Sequence, residues 1–183
     1  DVLQSRGLGD VYKRQVYKGT FLDVKKDNVV LPNGKNSTRE WINHPGAVVI
    51  VPILPNGKIA LIRQFRYAMG SEFIELPAGK IDKGETPDEC AIRELEEEIG
   101  FKTKNLNFIA MIHPAIGFAN ENMSLYLATD LVQTNINRDS DEFLELMPTS
   151  LEHALDLVWS NKITDVKTII GILWYQKIYQ ESK

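Results

Sequence analysis

GKIDKGETPDECAIRELEEEIGF, residues 79–101, is the stretch on which the reading of the whole chain turns. Thr86, Pro87 and Glu89 supply an N-cap, a proline at the first helical position and a capping-box partner, so a helix is predicted to start there. Gly100 supplies its stop. Ala91, Leu95 and Ile99 recur at i, i+4 and i+8, with Ile92 beside them, a stripe that can pack on a sheet. The remaining face is acidic. Glu94, Glu97 and Glu98 stand at i, i+3 and i+4, with neighbouring Cβ atoms roughly 5–6 Å apart. Each like-charge pair costs roughly 0.2–0.5 kcal/mol even when exposed, so something should offset the repulsion. Hard divalent cations take carboxylate oxygens, and Mg²⁺ is usually held by one or two carboxylates plus the phosphates of its substrate. A merely solvated helix face is the other reading of such a run.

The charge is concentrated here. Residues 82–98 hold eight acids and two bases, a net of −6, while the 183-residue chain carries −4, so the remainder sums to +2. An acidic spot on a nearly neutral body points to a cation site and away from a nucleic-acid surface. At 43% hydrophobic and 25% charged residues, the composition excludes a disordered or fibrous chain. The longest apolar run, Ala47 to Leu54, is eight residues with Pro52 inside it and cannot span a bilayer. A single cysteine, Cys90, excludes an intramolecular disulfide, and no secretory pattern is evident, so a reducing cytoplasm is the expected compartment.

Outward from the helix, Val16 to about Trp41 has short apolar segments around Pro32-Asn33-Gly34 and reads as a small β-meander. Pro45-Gly46 breaks it from Ala47 to Leu54, a β-branched run typical of a buried strand. Pro55-Asn56-Gly57 is a turn signal, with Lys58 to Phe65 as the second arm of a hairpin. Phe108 to Ile112, Ser124 to Ala128 and Phe143 to Met147 look like further strands. Ser150 to Trp159 and Thr164 to Tyr179 have helical spacing, with Ser150 and Thr164 as caps. The expected architecture is α/β, a mixed sheet between helices with the meander appended. Asp10 to Gln15, DVYKRQ, is similar to the translation of a transposon-based sequencing adapter. Residues 1–15 are therefore set aside as a non-native or disordered tail, 16–45 is taken as the meander and 46–183 as the main domain.

Gly79, Glu85 and Arg93-Glu94-Leu95-Glu96-Glu97-Glu98-Ile99-Gly100-Phe101 resemble the Nudix box, Gly-x5-Glu-x7-Arg-Glu-U-x-Glu-Glu-x-Gly-U, at every specified position. Chance agreement in a chain this long is on the order of 10⁻⁷. On physical grounds Arg93 can pair with Glu85 to tie the loop to the helix. The resemblance implies a metal cradle of Glu94, Glu97, Glu98 and the Ala78 carbonyl, filled by Mg²⁺ or Mn²⁺. Ile62-Arg63-Gln64-Phe65-Arg66-Tyr67 and Glu75-Leu76-Pro77-Ala78-Gly79 look like the ADP-ribose pyrophosphatase branch. That branch implies cleavage of a nucleoside diphosphate sugar, with Arg66 and Arg39 on the diphosphate; the alternative for each arginine is a surface cation. It also implies a homodimer built on the meander, with no nucleic-acid or membrane partner. Trp41 stacks on the base or a second subunit, or simply packs. Ser-Pro-Gly-Phe, usual in that branch, is Ala115-Ile116-Gly117-Phe118 here, which keeps another substrate such as a GDP-hexose open.

Glu142, in the loop Asp139-Ser140-Asp141-Glu142, falls where the branch carries a catalytic glutamate, with Glu121 in reserve. Together with Glu98, Arg93 and Glu85 it completes the candidate catalytic set. His44, His113 and His153 lack metal-ligand spacing, and Cys90 reads as core. A non-catalytic nucleotide sensor is the rival from another class, and it has no need of three intact carboxylates.

Overall fold

The computed structural model describes residues 12–134 and 143–181. The chain divides into two units, one comprising the residues up to 45 with 115–121, the other 46–114 with 122–183.

The first unit is an antiparallel meander of β1 (Tyr12–Lys18), β2 (Asp23–Val30) and β3 (Asn36–Ile42), in that order. Gly34 turns the chain between β2 and β3 at φ +80°, a left-handed conformation that suits a residue without Cβ. β1 begins four residues inside the stretch set aside as a tail, with Tyr12 opposite Asn28. A ladder needs only backbone N–H and C=O groups, so the side-chain pattern of residues 12–15 carried no warning of it. The segment 115–121 joins this unit through Ile42 N–H to Phe118 O at 2.8 Å and His44 N–H to Asn120 Oδ1 at 2.7 Å.

The second unit contains β4 (Ala47–Pro52), β5 (Ile59–Arg66), β6 (Ser71–Glu75), β7 (Ala78–Lys80), α1 (Pro87–Glu94), β8 (Phe101–Ile112), β9 (Met123–Gln133), β10 (Leu144–Thr149), α2 (Leu151–Trp159) and α3 (Val166–Glu181). One sheet has the order β7-β4-β9-β8 and the other β10-β5-β6. β4 runs parallel to β9 and antiparallel to β7, so the sheet is mixed.

The expected hairpin is corrected here. The Pro55-Asn56-Gly57 turn closes with Leu54 N–H to Lys58 O at 2.8 Å, yet a lone Ile53–Ile59 bridge joins its arms, and β4 and β5 enter different sheets. β4 is buried along its whole length, so both its edges need partners, and β7 and β9 supply them.

Alternate residues of β4 face two cores. Val49 and Val51 pack with Leu125, Leu157 and Ile172, the last two from α2 and α3. Val48 and Ile50 pack with Cys90, Ala91, Leu95 and Ile99 of the acidic helix. Helices therefore cover both sides of this strand, the α/β/α arrangement. α3 is capped by Asp165 and not by Thr164, because the Asp165 carboxylate accepts from both Thr168 N–H at 3.0 Å and Thr168 Oγ1 at 2.6 Å. Among the described residues no helix is long and apolar enough to cross a membrane.

Candidate active site

The acidic helix opens with a full capping box. Thr86 Oγ1 accepts from Glu89 N–H at 3.3 Å, and Glu89 Oε2 accepts from Thr86 N–H at 2.8 Å. The Tyr126 hydroxyl donates to Asp88 Oδ1, fastening this first turn to β9. After Glu94 the regular α-helix gives way to a π-helical turn, Leu95–Ile99, which ends at Gly100 with φ +71°. A π turn is wider than an α turn, so Glu97 and Glu98 are rotated from the positions that a uniform 3.6-residue period assigns them.

Arg93 is the hub. Its Nε and Nη2 grip Glu85 at 2.8 and 3.1 Å, while Nη1 bridges Glu94 Oε1 at 2.8 Å and Glu97 Oε2 at 2.7 Å. The Glu85 carboxyl is held down at about 2, first by the Arg93 hydrogen bonds, although partial burial opposes the shift. Arg93 is pushed up by the same carboxylates, Glu85 first. Cys90 lies beside this hub with its thiol 3.3 Å from the Lys80 carbonyl oxygen, and burial, then Glu85 and Glu94, push it up to about 12. A thiol in that state is core material and a poor nucleophile.

β7 brings the other half of the site. Ala78 N–H donates to Glu98 Oε2 at 3.2 Å, placing the Glu-x-Pro-Ala-Gly strand against the helix. Gly79 is the point of closest approach: a Cβ there would meet Glu94 Oε1 at 1.7 Å. This glycine therefore serves a close packing, since only a side chain ending at hydrogen leaves room for the carboxylate. Glu94 and Glu98 are 8% and 3% exposed, rare burial for carboxylates.

Arg66 pairs bidentately with Glu75, Nε to Oε1 and Nη2 to Oε2, both at 2.7 Å. Its guanidinium is pushed up by that pairing, with Glu98 and Asp165 adding through space, which sets Arg66 within electrostatic range of the acidic helix. Arg39, Trp41 and Glu121 lie in the first unit. Arg39 is exposed and donates to Ser37 Oγ and the Thr38 carbonyl oxygen. Trp41 Nε1 donates to Asp27 Oδ2 at 2.8 Å, so its N–H serves the meander itself. Glu121 stands 3.7 Å from His44 Nε2. Glu142 and the rest of its acidic loop lie outside the described residues. Glu75, Asp165, Lys167 and Thr168 form an ionic group that sequence reasoning missed; the Asp165-x-x-Thr168 spacing of an N-cap was its only local signal.

The family model of the NUDIX domain matches residues 43–166, and that of the nucleoside diphosphate sugar hydrolase N-terminal domain matches residues 13–42. The chain belongs to the Nudix hydrolases. It is 42% identical over 168 residues to the ADP-ribose pyrophosphatase of Bacillus subtilis (strain 168), covering 91% of each chain. It is 37% identical to the methanol dehydrogenase activator of Bacillus methanolicus, covering 88% of this chain and 89% of that protein. The crystal structure of an ADP compounds hydrolase superposes with a TM-score of 0.84 at 25% identity, over 96% of this chain and 94% of the other. This places the chain in the ADP-ribose pyrophosphatase-like branch of the Nudix enzymes.

Nudix hydrolases need a divalent metal. Among the described residues no three His, Cys, Asp or Glu side chains converge as a metal-holding group, and Arg93 Nη1 lies between Glu94 and Glu97. The chemistry nevertheless fits. Glu85, Glu94 and Glu97 gather about one guanidinium and Glu98 is buried against Ala78 N–H, all oxygen donors of the kind hard cations take. Gly79 clears the room in which the Glu94 carboxylate lies.

Proposed function

We propose that the chain hydrolyses the pyrophosphate bond of ADP-ribose or a related nucleoside diphosphate sugar, releasing a nucleoside monophosphate and a sugar phosphate. The observation that carries this reading is the close packing of the Glu94 carboxylate on Gly79, in a group with Glu85, Glu97 and Arg93, on a chain 42% identical to an ADP-ribose pyrophosphatase. Glu94, Glu97, Glu98 and the Ala78 carbonyl would hold Mg²⁺ or Mn²⁺, which supplies charge neutralisation and polarisation of phosphorus when bound. Glu85 fixes Arg93, and Arg93 orients Glu94 and Glu97. Arg66 and Arg39 supply guanidinium donors to the diphosphate.

Glu142 takes the proton from the attacking water, with Glu121 as the second candidate; such a base contributes roughly 10²- to 10⁴-fold. The water oxygen forms a new bond to phosphorus as the bond to the bridging oxygen breaks, and that oxygen leaves on the other phosphate. The working form we propose is a homodimer joined through residues 16–45, acting in a reducing cytoplasm, where the lone Cys90 stays a thiol. Ile116 in place of the branch proline favours a second reading, a GDP-hexose as substrate. A panel of nucleoside diphosphate sugars assayed with Mg²⁺ and with chelator, alongside light scattering for the subunit count, tests all of this. No release of phosphorylated product from any panel member would overturn the reading.

A further inference from the structure

A second ionic group stands outside the Nudix box. Glu75, the last residue of β6, is 2% exposed, and its carboxylate receives two cations. Arg66 grips it bidentately, and the Lys167 ammonium of α3 donates to the same Oε2 that accepts from Arg66 Nη2. Lys167 is itself only 9% exposed and also pairs with Asp165 Oδ2 at 2.9 Å. The next residue along the strand is held as firmly, with Leu76 N–H donating to Thr168 Oγ1 at 2.8 Å. Gly171, one turn further on, lets α3 press onto this strand: a Cβ there would meet Leu76 Cδ1 at 2.4 Å.

A buried ion pair is weak evidence for stability, because apolar residues of similar volume usually serve as well or better. Its geometric effect is more telling. Arg66 alone could carry the Glu75 carboxylate with it as its flexible side chain moved. A second cation on Oε2, anchored to a helix, fixes the plane of that carboxylate and therefore the plane of the guanidinium. Arg66 keeps its side chain 43% exposed, and among the described residues Nη1 makes no hydrogen bond, so one edge is anchored while another remains for a ligand. The carboxyl of Glu75 stays ionised: burial pushes it up, but the Arg66 hydrogen bonds and Lys167 more than offset this and hold it low.

We infer that Lys167 is a positioning residue for the diphosphate, acting through Glu75 to preset the Arg66 guanidinium. The inference rests on Arg66 as a substrate contact and adds what orients it. It also accounts for the Glu75 of the Glu-x-Pro-Ala-Gly stretch, which neither the capping nor the metal chemistry of the box requires.

The test is a double-mutant cycle on the full-length chain, read as KM and kcat for ADP-ribose with Mg²⁺. Ordering one rotamer-rich side chain ahead of binding corresponds to roughly a two- to tenfold change in affinity. Lys167→Met is therefore expected to raise KM by about that factor while kcat stays within roughly twofold, and Arg66→Ala to raise KM further. In the Arg66→Ala background, Lys167→Met should add nothing to KM. If Lys167→Met does not fold by circular dichroism, Glu75→Gln interrupts the relay from its other end and should show the same lack of additivity with Arg66→Ala. Additive effects, or an unchanged KM in Lys167→Met beside a raised one in Arg66→Ala, would overturn the relay and leave the proposed activity standing. An unchanged KM in Arg66→Ala would overturn the relay together with the substrate role of Arg66. A wild-type chain inactive on every sugar of the panel would remove both.

Discussion

Two ionic clusters in the same unit differ in charge balance, one neutral and one net negative. About Glu75, the cations Arg66 and Lys167 face the acids Glu75 and Asp165, two against two, with the shared contacts deep in the fold. About Arg93, one guanidinium serves Glu85, Glu94 and Glu97, and Glu98 is buried beside them against Ala78. A neutral cluster is complete as it stands, since every buried charge has a partner of opposite sign. The second cluster holds four acids to one base, an excess that the cation of the proposed function would offset. Under the proposed function, the first cluster is the frame and the second the working part.

The sharpest way to break this contrast is to remove one charge from each. Glu98→Gln preserves size, removes a proposed metal ligand and relieves repulsion, so kcat should fall by on the order of 10³-fold. Tm in chelator should stay level or rise slightly. Wild-type turnover in Glu98→Gln would mean that the acidic excess is not the working part. Gly79→Ala should follow with a roughly 10- to 100-fold loss of kcat/KM, since the methyl group displaces the Glu94 carboxylate without touching the frame. Its Tm should change little, because the displaced group is the end of a flexible side chain. A Tm collapse would mark Gly79 as structural.

A smaller effect separates the clusters thermodynamically. Mg²⁺ at about a hundred times its dissociation constant should stabilise the folded chain by about 2.7 kcal/mol. For a chain of this size that is a rise in Tm of roughly 5–10 °C. The rise should vanish in Glu98→Gln and persist in Lys167→Met. A rise of equal size in Glu98→Gln would place the cation elsewhere.

The two clusters also differ in how much of each could be read from the sequence. The Arg93 cluster was legible because its members lie between Glu85 and Glu98, where helical period and capping chemistry act over a few residues. The π-helical turn at Leu95–Ile99 was not, since no local composition requires it. The Glu75 cluster was illegible for a different reason: Lys167 lies 92 positions away, and only the packing of α3 on the strand brings it there. The same limit explains β4 and β5. Pro55-Asn56-Gly57 was readable as a turn, but the partners of β4 are β7 and β9, with Val48 opposite Gly79 and Ser124, on a strand buried along its whole length.

The mildest expectation concerns acid. Glu85 titrates at about 2 in the folded chain against an ordinary carboxylate value of 4.5, with its hydrogen bonds to Arg93 as the main cause. The unfolded chain therefore takes up this proton first as the pH falls, and stability tied to Glu85 is fully present above about pH 4.5 and lost on the way to about pH 2. Glu85→Gln cannot lose what it lacks. Its Tm at pH 7 should lie a few degrees below wild type, and the gap should close as the pH is lowered through that window. Glu75 is also held low and titrates in both proteins, so the two curves should converge while both still decline. Parallel curves from pH 7 to pH 2.5, followed by circular dichroism in chelator, would show that Arg93 draws its stability from the other carboxylates and that the Glu85 contact is dispensable to the fold.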